Sequence, residues 1–185
     1  RDFAGFHQLL EAAQVAAGSV EFENVPVEVV DGVISPALFE DFLVDIDWRR
    51  YQITLRPHPG EGKLPGFHKV FRFGSGLVLG VQVRGLAPKL FAIDSGNGRS
   101  LLDPDAGLGA PSGDREPPDY AAYRRIPISF ANVINFQVNF DASSQWRLSE
   151  KLGLALSGRL GADVLRSFET TIDYRNGAVR FQPVR

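Results

Sequence analysis

A 26-residue stretch of this 185-residue chain comes back once, without a gap, 126 positions later. Residues 32–57, GVISPALFEDFLVDIDWRRYQITLRP, align with residues 158–183, GRLGADVLRSFETTIDYRNGAVRFQP. Six positions are identical: Gly32/Gly158, Phe42/Phe168, Ile46/Ile172, Asp47/Asp173, Arg49/Arg175 and Pro57/Pro183. Six more exchange one apolar residue for another, among them Ile34/Leu160, Trp48/Tyr174 and Leu55/Phe181. Upstream, FENV at 22–25 meets FANV at 130–133 at an offset of 108, so the second copy carries 126 − 108 = 18 more residues between the blocks. Each copy reads as strand, glycine turn, short helix and hairpin. A repeated unit of this kind constrains the fold more than composition does. In the second copy Asn176-Gly177 is the pair that favours a two-residue type I′ turn. Asp47 and Asp173 read as hairpin residues.

Around the copies the pattern is mostly β. Residues 19–30, 76–85, 88–94, 125–140 and 178–184 alternate or run in β-branched and aromatic residues, punctuated by Gly, Pro and Asn. One helix is predicted over 3–17, where Phe6, Leu9, Leu10, Ala13 and Ala17 share a face. The stretch 56–66 reads as a linker, and 103–119 as a polar surface loop rich in Pro and Gly. A net charge of −2 argues against nucleic acid or an anionic membrane as partner. No apolar run approaches the roughly 20 residues of a membrane span. With no cysteine, disulfides, thiolate metal sites and cysteine nucleophiles are excluded. The histidines His7, His58 and His68 lack the spacing of a metal site and read as loop or surface residues. No metal or cofactor is expected.

The chemistry concentrates in KLFAIDSGNGRSLLD at 89–103. An apolar strand runs into Asp94-Ser95-Gly96, and Leu160-Gly161 of the second copy follows 160 − 94 = 66 residues later. This combination resembles the aspartic protease superfamily, and more closely its retropepsin-like bacterial members. The resemblance rests on FAIDSG, RLGADVLRSF and IDYRNGAVRF, and covers about residues 67–183 with a rear half of a second lobe at about 19–57. It implies an all-β protein with few short helices and acid-protease-like closed β-barrel lobes. Residues 67–185 would be one complete lobe, 1–57 the C-terminal half of another, and 58–66 the linker.

It also implies roles. Two carboxylates about 3 Å apart cannot both ionise, so they share a proton and serve as base and acid in peptide hydrolysis. Asp94 is the expected catalytic member. Ser95 would hydrogen-bond toward a facing loop. Gly96, lacking Cβ, would let the loops approach closely, and Asn97 and Gly98 complete the active-site loop. Leu160 and Gly161 would form the supporting strand beneath Asp94. The expected partner is a polypeptide substrate.

No other aspartate follows two apolar residues and precedes Ser-Gly or Thr-Gly. The nearest, Asp31, aligns with Ser157 instead. Projecting Asp94 back by the offsets gives 94 − 126 = −32 and 94 − 108 = −14, both before Arg1. The chain also contains no methionine and opens mid-pattern. The second Asp is therefore expected from an upstream half-lobe or from a second chain. The expected function is aspartic endopeptidase. The alternatives are a non-catalytic relative that binds peptides or a protein partner, and a plain β-barrel interaction module.

Overall fold

The computed structural model describes residues 15–17, 20–22, 36–50, 52–60, 62, 64–73, 76–107 and 122–184. Its strands in chain order are β1 (Val15–Ala17), β2 (Val20–Phe22), β3 (Phe42–Asp47), β4 (Gln52–Pro57), β5 (His68–Lys69), β6 (Phe71–Phe73), β7 (Gly76–Val83), β8 (Lys89–Ile93), β9 (Leu101–Leu102), β10 (Ala122–Phe130), β11 (Val133–Ala142), β12 (Leu156–Leu160), β13 (Phe168–Asp173) and β14 (Ala178–Pro183). The helices are short: α1 (Trp146–Leu152), α2 (Ala162–Leu165) and 3-10 turns at Pro36–Phe39 and Pro104–Ala106. The protein is all-β, and six strands close into a barrel in the order β10-β11-β9-β12-β8-β7, with β7 pairing back onto β10. Among the described residues no helix is long and apolar enough to cross a membrane.

Alternation explains the barrel. In β7, Leu77, Leu79, Val81 and Val83 point into one core, while Gly80 and Gln82 face out. Side chains on a strand alternate faces, so one residue in two fills the interior. Phe91, Leu102, Phe140 and Leu160 are completely buried in it. Outward-facing Val78, Ala92 and Leu156 are instead covered by Leu148 and Leu152 of α1.

The second sheet has the order β4-β3-β13-β14-β5 and is antiparallel throughout. Here the repeat becomes visible. The turn Pro36–Phe39, β3 and β4 map by 126 onto α2, β13 and β14 residue for residue. Asp45 lies opposite Thr171, its own counterpart, and Leu43/Asp173 and Asp47/Glu169 exchange under the same offset. The sheet therefore has an approximate two-fold axis between Asp45 and Thr171. Bonds repeat as well as strands. His58 N–H donates to Asp41 O as Val184 N–H donates to Ser167 O. Arg50 N–H donates to Asp47 Oδ1 as Asn176 N–H donates to Asp173 Oδ1, so both aspartates cap hairpin turns as expected. Phe168 and Phe181 meet Phe130 of the barrel edge to face, with centroids 5.9 and 5.1 Å away, and join sheet to barrel. The symmetry stops at the rim. β5 covers the outer edge of β14, while among the described residues nothing pairs with the outer edge of β4, where Ile53 is 65% exposed.

Three expectations are corrected. Residues 3–14 of the predicted helix lie outside the described residues, but its last three form β1, paired with β2. Its last three residues, Val15-Ala16-Ala17, offer little apolar surface to anchor a helical face and pair in register with Val20–Phe22 instead. The β13–β14 turn is a four-residue loop, 174–177, in which only Gly177 takes a left-handed φ, of 56°. Asp173 fixes this wider loop by accepting the Asn176 backbone N–H. The loop expected to begin at 103 is ordered over 103–107: the Asp103 side chain caps the 3-10 turn and Ala106 is buried. Residues 108–121, Asp31 and the first-copy positions 32–35 lie outside the described residues.

Candidate active site

β8 carries Asp94 to the barrel surface. Phe91 points in, Ala92 points out against α1, and Ile93 packs on the core. β12 runs parallel to β8, with Leu160 opposite Ile93, and Asp94 N–H donates to Leu160 O at 2.9 Å. Asn97 N–H then donates to Asp94 O at 3.2 Å and closes the turn. Leu160 and Gly161 thus lie against the loop that begins at Asp94.

The back of this loop is tightly held. Ala162 N–H donates to Asn97 O at 2.8 Å. A Cβ on Gly161 would sit 2.5 Å from the Arg99 carbonyl and 2.9 Å from Asn97 O, so the loop can rest there only on a glycine. Ser100, fully buried, accepts the Gly161 N–H at 2.9 Å and donates its hydroxyl to Asp163 Oδ1 at 2.6 Å. Asp163 Oδ2 accepts the Ser100 N–H at 3.1 Å. Ser100 and Asp163 were not singled out from the sequence, because a serine after Asn-Gly-Arg and an aspartate in a helical turn read as ordinary loop chemistry.

The front of the loop is open. Ser95 and Gly96 are exposed, and Ser95 makes no hydrogen bond among the described residues. A Cβ on Gly96 would meet only Asp94 Oδ1, at an ordinary 3.6 Å, and one on Gly98 would meet nothing. Neither glycine adopts a left-handed φ. The close approach implied for Gly96 therefore has no counterpart in this chain's own packing.

Asp94 itself is 29% exposed and paired with Arg159, whose Nη1 donates to Oδ2 at 3.0 Å. The guanidinium is in turn fixed by Nε donating to Gln145 Oε1 at 2.7 Å. Gln145 is 1% exposed; its backbone N–H donates to Asp103 Oδ2 and its side-chain amide to Ser143 O, both at 2.7 Å. Arg159 is the residue the sequence reading missed, and a signal for it existed. The repeat sets it against Val33, so a charge replaces an apolar residue one position before Leu160. Asp94 and Arg159 stand at a groove of about 490 Å³ walled by Phe73, Val78, Ala92, Ile93, Leu148 and Leu152, with Lys151 also lining it.

His58 is no surface residue. Its Nδ1 accepts the Gly60 N–H at 3.1 Å, which leaves Nε2 to carry a hydrogen toward Asp173 Oδ2, 3.2 Å away, with both side chains essentially buried. This contact ties the start of the 58–66 segment to the β13–β14 turn, which belongs to the second sheet and not to the barrel that carries Asp94. Comparison with protein-family models, curated proteins and solved structures finds no match to this chain.

Proposed function

We propose that the chain contributes one carboxylate, Asp94, to a water-activating pair and acts in peptide-bond hydrolysis as an aspartic endopeptidase. The observation that supports this reading is the asymmetry of the Asp94–Gly98 loop. Gly161, Ser100 and Asp163 pin it from behind, whereas Ser95 and Gly96 are left unengaged in front. A facing loop of the same kind would place its Asp beside Asp94. One carboxylate then takes a proton from water as the oxygen attacks the peptide carbonyl, and the other protonates the carbonyl oxygen. The proton taken from water passes to the leaving nitrogen as the C–N bond breaks, and a hydroxyl of the tetrahedral intermediate returns its proton to the other carboxylate as the new C=O forms. Ser95 would bond across to the facing loop, and the bare Gly96 would admit it.

The Asp94–Arg159 ion pair favours a second reading, in which the loop binds a peptide or protein partner without hydrolysing it. A carboxylate oxygen already bonded to a guanidinium is less free to accept the hydrogen of an attacking water. The deciding experiment offers an unfolded protein substrate in mildly acidic solution to the protein assembled with its facing loop. Cleavage that a statine-type mimic blocks and Asp94→Asn abolishes is the expected result. Peptide binding with no cleavage across pH 3–7 would overturn the hydrolytic reading in favour of the second.

A further inference from the structure

We propose that the groove beside Asp94 is a binding site for the C-terminal end of a peptide, with apolar final residues in the groove and the free α-carboxylate on Arg159. The strongest observation is how much buried structure is spent on holding that guanidinium still. Gln145 is buried, fixed at its backbone N–H and at its side-chain amide, and presents its remaining oxygen to Arg159 Nε. Planar guanidinium groups bind carboxylates through paired N–H groups, and one held in advance loses little freedom on binding. Nε is taken by Gln145 and one Nη1 hydrogen by Asp94. Among the described residues the second Nη1 hydrogen and both on Nη2 have no acceptor. A free hydrogen on each of these two nitrogens offers a carboxylate a paired contact.

Charge points the same way. Arg159 and Lys151 set two cations against the single carboxylate of Asp94 along the groove, leaving one positive charge unmatched. The walls are apolar: Phe73, Val78, Ala92 and Ile93 from the barrel, Leu148 and Leu152 from α1. A ligand with an apolar body and one terminal carboxylate matches both features. Because the groove is open to solvent along one side, its occupant keeps one face wet. A peptide backbone keeps its hydrogen bonds to water on that face, whereas an alkyl chain forfeits part of its burial there. The site is independent of the hydrolytic reading, since a chain that binds without cleaving retains it.

The test uses the intact 185-residue chain at pH 7, titrated with acetyl-Ala-Leu-Phe as free acid and as C-terminal amide, and separately with decanoate. Binding is followed through the backbone amides of Ala92, Ile93, Leu148 and Leu152 by NMR. The acid should bind at least about tenfold more tightly than the amide, the scale of one charge-assisted pair. Arg159→Gln should erase that preference, and Lys151→Glu, an exposed change on α1, should weaken the acid while sparing the amide. If Arg159→Gln loses the native circular dichroism, Lys151→Glu decides the matter alone. Equal binding of acid and amide, no binding, or shifts confined to other residues would overturn the site. Decanoate binding as tightly as the peptide acid would overturn the assignment to peptides.

Discussion

Glycines separate what the chain needs for its own packing from what it holds in reserve. A Cβ on Gly158 would overlap the Phe91 ring and the Leu101 carbonyl, and one on Gly161 would strike the Arg99 carbonyl. Neither neighbour can retreat, because Phe91 fills the barrel and the carbonyls belong to backbone. Gly158→Ala and Gly161→Ala are each expected to cost about 1–3 kcal/mol, as overpacking does, read by chemical denaturation. Gly96→Ala, meeting only Asp94 Oδ1 at 3.6 Å, should stay within about 0.5 kcal/mol of the parent. A loss comparable to that of Gly158→Ala would mean that Gly96 serves the isolated fold after all. On the hydrolytic reading proposed above, the same Gly96→Ala change should depress cleavage in the protein assembled with its facing loop while stability holds.

At the level of elements, the two hairpins carry the acid sensitivity. Burial alone would raise the Asp173 carboxyl, but the backbone and side-chain N–H groups of Asn176 and the His58 ring outweigh it and hold it below the ordinary range. Asp45 behaves alike: burial pushes it up, while bonds from Arg56 and Thr171 and the charges of Arg56 and Arg180 bring it lower. A carboxyl depressed in the folded state adds stability that is complete above its unfolded value, about 3.9, and is lost as pH falls through the folded one. Denaturation midpoints should therefore drop below about pH 4, and Asp173→Asn should flatten that decline. An unchanged acid limb in Asp173→Asn would remove the turn from the explanation.

Much of this level was legible beforehand. The 126-residue offset predicts β3, β4, β13 and β14 because identical aromatic and Ile-Asp positions demand the same local path. The strand at 89–93 was legible because an apolar run stops at Asp-Ser-Gly. The Asn176-Gly177 turn was misread because a side-chain cap from Asp173 overrode the local preference of the pair. Arg159 stands inside the RLGADVLRSF stretch, but its meeting with Gln145, which belongs to no motif, depends on α1 folding over the barrel.

The whole molecule joins a closed barrel to a sheet that is symmetric at its centre. Its described residues hold one Asp-Ser-Gly loop, whose carboxylate is paired with Arg159. The monomeric 185-residue chain should accordingly show no proteolysis, checked by assaying the fraction that sediments as a monomer. Robust cleavage by that fraction would place the catalytic pair elsewhere. The unmatched rim of the sheet has a further consequence, one of time rather than energy. The outer edge of β14 at Ala178 and Val179 is covered by β5, while the equivalent edge of β4 at Gln52 and Ile53 faces no strand among the described residues. Hydrogen–deuterium exchange should run faster along the outward-facing amides of β4 than along those of β14, although both hairpins share one register. The two copies then fold alike and open at different rates.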